Sequence, residues 1–264
     1  LIYLKIHFRI QVAYFFHGNN IANAINIMKK IIASLLLVSV LALSSCSSLK
    51  NIGNYLSEAD AANAIKEALL IGSDFGVNSL GRNGSFSRDV LVTAVLPQGA
   101  QRVLETLDRL GLAKEFDRFA ATLDNAAVTT VNRSAPIFVN GIRQMSIRDA
   151  IGIVKNGGTA ATDYLRRSVG SDLVVTITPV MRTALDEYHV TQEWDKLIGP
   201  IKLALGNKVS LNLDLDRILA VIVTNEMFRK IEQQEIAIRT NAQARTSASL
   251  QRVFGRDWNT TIVR

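Results

Sequence analysis

"DLDRILAVIVTNEMFRKIEQQEIAIR", residues 214–239, is the stretch whose period decides the fold. Leu215, Leu219, Val223, Met227 and Ile231 recur every four residues. On a helix of 3.6 residues per turn that spacing lays them along one side, whereas a half-buried strand needs alternation. Asp214 can cap the start by accepting the first free backbone N–H groups. Glu226–Lys230 and Glu235–Arg239 are well-oriented i,i+4 pairs, each worth about 0.2–0.5 kcal/mol. The stretch reads as one long amphipathic helix with its aliphatic side buried.

The same period extends upstream. Ser57-Glu58-Ala59-Asp60 looks like a capped helix start, opening a helix that runs to about Leu80 before Gly81 and Gly84 break it. "DVLVTAVLP" (89–97) has the β-branched content of a strand, but a single strand has nothing to pair with, so it reads as an extended connector ending at Pro97. Val103, Leu104, Leu107 and Leu110 share a helix face, and Gly111 ends it. Leu112, Phe116, Phe119, Ala120 and Leu123 begin another, with Phe138, Ile142 and Met145 further on. Ser146-Ile147-Arg148-Asp149 again resembles a capping box, opening a helix with Ile147, Ile151 and Val154 inward until Gly157-Gly158. Loops are short, prolines number four, and no fixed-period repeat is present. The expected fold class is all-α, a single compact bundle of about eight to ten helices.

The N-terminal region has a different character. Met28 and Lys29-Lys30 precede an apolar run from Ile31 to Leu43, broken only by Ser34 and Ser39. A basic start, a short apolar run and small residues form a secretory signal, too short for a span of about 20 residues. It ends in Leu43-Ser44-Ser45-Cys46, which resembles a bacterial lipobox, and Cys46 is the chain's one cysteine. The resemblance implies cleavage before Cys46 and acylation of it; two or three chains anchor firmly where one is marginal. The alternative is an ordinary cleaved signal with a chance cysteine nearby. Residues 1–27 begin with Leu, contain no acid and displace the signal, so Met28 reads as the true start. The rival reading makes them a basic, aromatic membrane-surface segment.

These readings divide the chain into an extension (1–27), a signal (28–45), a tether (46–56), a helical domain (57–255) and a tail (256–264). The whole sequence carries 30 Lys+Arg against 23 Asp+Glu, or +7. Lys5, Arg9, Lys29 and Lys30 all precede Cys46, so the mature chain has 26 against 23, or +3, and no long basic run. A nucleic-acid partner is not expected. Ser47-Ser48 follow the lipid site and no acid comes before Glu58. In lipoproteins that pattern implies the outer membrane, facing the periplasm.

The catalytic inventory is short. His7 and His17 lie in the extension, which leaves His189, at what looks like a helix end where imidazoles meet free carbonyls. With Cys46 taken by lipid there is no thiol nucleophile, disulfide or Cys/His metal site to assemble. Gly157-Gly158-Thr159 lacks the glycine spacing and lysine of a phosphate loop. Paired carboxylates remain a formal option for glycan hydrolysis, with Asp186, Glu187 and Glu193 as candidates. No catalytic residue, metal or cofactor is expected.

"KNGGTAATDYLRRSVGSDL" (155–173) has the most character. Gly157 and Gly158 free the backbone, Thr159 can cap the next helix, and Ala160-Ala161 leave room for close approach. The preferred reading is a tight helix–helix junction with Asp163 and Arg167 paired at i,i+4. The functional alternative is a small polar site around Thr159, Asp163, Tyr164 and Arg166.

"NGGTAATDYLRR" (156–167) resembles the signature of an uncharacterised bacterial family of exported helical proteins, the domain of unknown function DUF4197. "LSEADAANAIKEAL" (56–69) is similar to its first helix and "LPQGAQRVLETLDRLGLAKEFDRF" (96–119) to its next region. "EIAIRTNAQARTSASLQRVFG" (235–255) is similar to its closing segment. Ala242 stands where the family pattern has proline, which would let the preceding helix run on, and Ser247 where threonine is usual. The resemblance implies an exported helical protein and transfers no activity, ligand or catalytic residue. It adds Arg245 to the residues of interest, since an Arg245–Asp163 contact would join two signature segments. The expected function is a lipid-anchored periplasmic protein that binds a partner or supports envelope structure. The alternatives are a carrier of an apolar or amphipathic ligand, which needs a pocket lined by Leu, Ile and Phe, and a carboxylate-dependent cell-wall hydrolase.

Overall fold

Period-four stripes on four long segments have one economical solution, a ring of helices that each bury a side inward. The computed structural model describes residues 56–95, 100–205 and 214–256, which belong to one compact unit, Leu56–Arg264. Cys46, the signal, the extension, the tether up to Tyr55 and most of the tail lie outside the described residues. Within them are nine α-helices and one 3-10 turn, with no strand among the described residues. They are α1 (Glu58–Leu80), α2 (Arg88–Val95), α3 (Ala100–Arg109), α4 (Ala113–Gln144), α5 (Ala150–Asn156), α6 (Ala160–Glu187), α7 (Val190–Leu205), α8 (Leu215–Thr240) and α9 (Ala248–Phe254). The 3-10 turn, Ala242–Ala244, lies between the last two. The chain is all-α.

The long helices α1, α8, α6 and α4 form a closed ring in that order, each packed against the next. Edge-to-face contact between Phe138 of α4 and Phe228 of α8, centroids 6.1 Å apart, fills the centre. The period-four stripe of α8 is realised: Leu219, Val223, Met227 and Ile231 are all buried. Its tightest seam is with α1, where a Cβ on Gly72 would come within 3.1 Å of the Ile231 Cα. Trp194 brings α7 onto α4, 5.1 Å from the Phe119 ring, and α9 packs on α1 and α8.

The helix starts differ in how they follow the sequence. Ser57 caps α1 as expected, its Oγ accepting the Asp60 N–H at 3.0 Å. The 89–97 stretch is not an extended connector: Arg88–Val95 is helix, with Ser87 Oγ accepting the Val90 N–H. β-Branched residues cost a helix only tenths of a kcal/mol each, less than burying Leu91 completely returns. Three of the four prolines, Pro136, Pro179 and Pro200, lie inside helices rather than between them. Each forfeits one backbone bond, which packing against neighbouring helices outweighs. The start of α5 is three residues later than expected, at Asp149, whose carboxylate accepts the Gly152 N–H at 3.0 Å. Asp214 occupies the cap position of α8 without a side-chain cap bond. Ala242 does not prolong α8, because Asn241 turns extended and its carbonyl side chain accepts the Gln243 N–H.

Candidate functional site

The 155–173 segment folds as α5, a two-glycine turn and α6. Gly157 and Gly158 have φ of +69° and +56°, conformations that suit glycine, and they reverse the chain within two residues. The reversal leaves the first N–H groups of α6 pointing at the interior, where they need an acceptor.

Glu235 of α8 supplies it. Its carboxylate accepts the Ala161 N–H at 3.0 Å, the Thr162 N–H at 2.8 Å and the Thr162 hydroxyl at 2.6 Å. The residue is 1% exposed. A carboxylate at a helix N-terminus is favoured by the exposed N–H groups and by the dipole. Arg239, one turn on, neutralises it through Nε at 2.9 Å and Nη2 at 2.8 Å. The same guanidinium donates to the Val154 and Ile153 carbonyls at the end of α5, at 2.9 and 3.2 Å, and lies over the Phe254 ring. One buried ion pair therefore closes both ends of the α5–α6 turn.

The sequence-selected residues surround this pair. Thr159 makes no cap bond; its hydroxyl donates to Asp163 at 2.9 Å. Asp163 pairs at 3.5 Å with Arg166, one residue short of the expected Arg167. Arg166 also reaches Glu232 of α8 at 2.6 Å and covers the Phe228 ring. The Tyr164 hydroxyl donates to the Ser146 carbonyl at 2.8 Å and accepts the Arg148 N–H, fastening the start of α5. Arg245 does not meet Asp163. Its guanidinium donates to the Ile238 and Arg239 carbonyls, both at 2.8 Å, and closes the end of α8. The 156–167 and 235–255 segments do come together, but through Glu235 and the backbone of Ala161 and Thr162.

Glu235, Thr162 and Arg239 are the residues that sequence reasoning missed in this role, Glu235–Arg239 having been read as an i,i+4 pair along one helix. A signal existed: Glu235 is the next position after Ile231 on the stripe of α8. Buried Asp124 behaves alike, continuing the spacing of Phe116 and Ala120 and accepting the Gly84 and Phe86 N–H groups at 2.5 and 2.9 Å. Glu58 of α1 accepts the Ala150 N–H at 2.7 Å, and Lys66 donates to the Arg143 carbonyl at the end of α4 at 2.7 Å. Several helix ends are thus closed by side chains of other helices, beside the local caps at Ser57 and Asp149.

The carboxylates considered for glycan chemistry are apart from this network. Glu187 forms two contacts with Arg133, at 3.0 and 2.9 Å, and the hydrogen bond that Arg133 donates to its carboxylate raises the pKa of that guanidinium. Glu193 pairs with Lys196, and both pairs are largely exposed. His189 links α6 to α7 with φ of +52°, its backbone N–H donating to the Asp186 carbonyl. Among the described residues no three His, Cys, Asp or Glu side chains gather as a metal site. An open groove of about 450 Å³ lies between α4 and α6, and Asp172 is its one charged lining residue. None of the sequence-selected residues lines it.

Fold and site together define an all-helical domain in which the buried pair Glu235–Arg239 holds two helix ends together. The model of the family described as protein of unknown function (DUF4197) matches residues 55–255, and the chain belongs to that family. No curated protein and no solved structure matches the chain.

Proposed function

We propose that this is a lipid-anchored bacterial envelope protein, attached through Cys46 to the outer membrane and facing the periplasm, with a non-enzymatic binding or envelope-structural role. The observation that carries the role is the use made of the signature's polar groups. Glu235, Arg239, Arg245 and Tyr164 all bond backbone at helix ends, while Asp163 and Arg166 pair with each other and with Glu232. Groups held that way give a rigid scaffold and are not free for acid–base work on a substrate. Phe138 and Phe228 occupy the centre of the ring, where an apolar carrier would need space. The anchor rests on the lone cysteine behind a short apolar run.

Mass spectrometry of the mature N-terminus from a bacterial envelope fraction tests the anchor. The expected peptide begins at Cys46 and carries the added mass of the acyl groups, and Cys46→Ser releases the protein from the membrane fraction. An unmodified Cys46, or an intact residue 1, overturns the anchor. Clearing of cell-wall glycan by the purified protein in a zymogram overturns the non-enzymatic role.

A further inference from the structure

One end of the bundle receives the chain from its N-terminal region. Glu58, in the first turn of α1, accepts the Ala150 and Ile151 N–H groups at the start of α5. Lys66 holds the end of α4, Tyr164 of α6 bonds the backbone of Ser146 and Arg148, and Arg239 of α8 holds the end of α5. Phe254 of α9 lies under Arg239. Leu56, where the domain begins, therefore shares this end with the close of α4, the whole of α5, the start of α6 and α9.

Unpaired positive charge collects there. Arg143, Arg148, Lys155, Arg167 and Arg252 are exposed, and their side chains have no partner among the described residues. The acids of the same end are engaged. Glu58 and Asp149 accept helix N–H groups, Asp60 accepts the Ser57 hydroxyl, and Asp163 is shared by Thr159 and Arg166. Glu67 and Asp172, further along α1 and α6, are the acids without a partner on those two segments. The opposite end is mixed: Glu105, Asp108 and Glu115 are exposed and unpaired along with Lys114 and Arg118.

Two considerations choose the occupant of the cationic end. A second copy across a two-fold axis would set these cations against their own mates, which like-charge repulsion opposes. The membrane is within reach: from Cys46 to Leu56 the chain spans at most about 36 Å fully extended, whereas the 32 residues of α4 measure about 48 Å. With Cys46 acylated, the end that carries Leu56 is the one kept near the headgroups. Lys and Arg beside an anchor are drawn to anionic headgroups within about a Debye length, and they reinforce the acyl chains.

We propose that this end of the domain rests on the anionic phospholipid headgroups of the membrane that holds the anchor, through Arg143, Arg148, Lys155, Arg167 and Arg252. This rests on the anchor proposed above and adds to it an orientation and a lipid chemistry.

The test reconstitutes the acylated mature chain on vesicles of phosphatidylcholine alone and of phosphatidylcholine with phosphatidylglycerol in equal parts. Cys46 is the chain's one cysteine and acylation consumes it, so Asn156→Cys and, at the opposite end, Asn83→Cys each take a fluorescent label singly. Quenching by a nitroxide on the lipid headgroup reads which end meets the surface. The Asn156→Cys label is expected to be quenched at least about threefold more on the phosphatidylglycerol vesicles, and the Asn83→Cys label on neither. High salt removes the difference. Arg148→Glu with Arg167→Glu lowers the quenching to its value on neutral vesicles, whereas Lys114→Glu with Arg118→Glu leaves it unchanged, circular dichroism verifying that both fold. Quenching equal on the two vesicles, equal at the two labels, or indifferent to the Arg148 and Arg167 reversal overturns the proposal and leaves the anchor standing. A chain that fails to float with neutral vesicles, its Cys46 thiol open to the label, overturns the anchor and the proposal with it.

Discussion

Replacing Glu235 with Gln is the sharpest probe of the helix-end network, because shape is kept and only charge and one acceptor are lost. Both carboxylate oxygens are fully engaged by donors: Ala161 N–H and Arg239 on one, Thr162 N–H and hydroxyl on the other. Whichever way the amide turns, its NH2 faces a backbone N–H that has no second acceptor. Arg239, 10% exposed at its side chain, loses its counter-charge at the same time. Breaking a buried pair by removing one partner costs about 3–5 kcal/mol. For a domain of this size that lowers Tm by roughly 6–20 °C. The reverse change, Arg239→Met, strips the counter-charge from the still more deeply buried Glu235 and costs about 3–5 kcal/mol as well. It leaves Glu235 held by three donors from α6, while the Ile153 and Val154 carbonyls lose their donor. Urea unfolding followed by circular dichroism gives both values, and amide hydrogen exchange at Ala161 and Thr162 reports the cap directly. A Glu235→Gln variant within about 1 kcal/mol of wild type refutes the reasoning. So does an Arg239→Met variant within about 1 kcal/mol of wild type.

Three further outcomes rest on single positions. Gly72→Ala should destabilise by about 1–3 kcal/mol, because the new Cβ meets the Ile231 backbone. Gly76→Ala, whose closest contacts are the terminal atoms of Met227, should be neutral or stabilise by up to about 1 kcal/mol; equal effects in urea unfolding would show that the α1–α8 seam is misjudged. Gly157→Ala and Gly158→Ala should each cost about 1–2 kcal/mol by the same assay through left-handed backbone alone, since neither site has an atom within 4 Å of a new Cβ. Asp124→Asn should cost about 1–3 kcal/mol by leaving the Gly84 or Phe86 N–H unpaired, read as faster hydrogen exchange at one of those two amides.

How far the sequence carried the fold can be argued element by element. Helices with a period-four aliphatic stripe were legible because burial of one side is written into spacing, as in 214–239. The 89–97 stretch was not, because its composition favours strand and the deciding fact, burial of Leu91 by distant helices, is absent from any local window. Caps followed the same division. Ser57 acts on its own helix and was readable; Glu235 acts on a helix more than 70 residues away, and local rules assigned it to an i,i+4 pair on its own helix. Pairing within 159–167 missed by one position, Arg166 for Arg167, because the guanidinium is drawn toward Glu232 of α8.

The two misread acids point to a more general signal. An acid that extends a four-residue aliphatic stripe lies on the buried side of its helix, as Asp124 does after Ala120 and Glu235 after Ile231. A buried carboxylate is tolerated only where several donors converge on it, and in an all-helical domain the free donors are helix N-terminal N–H groups and loop amides. Position on the stripe therefore tells that an acid is buried, and the scarcity of other donors tells what kind of group it meets. A turn with two left-handed glycines, such as 157–158, makes such a set of donors. Reading both features together would have joined 156–167 to 235–239 from sequence, without an ion pair between Arg245 and Asp163. It also separates structural charge from charge that is free to recognise a partner. By that criterion Glu235 and Arg239 are committed to the fold.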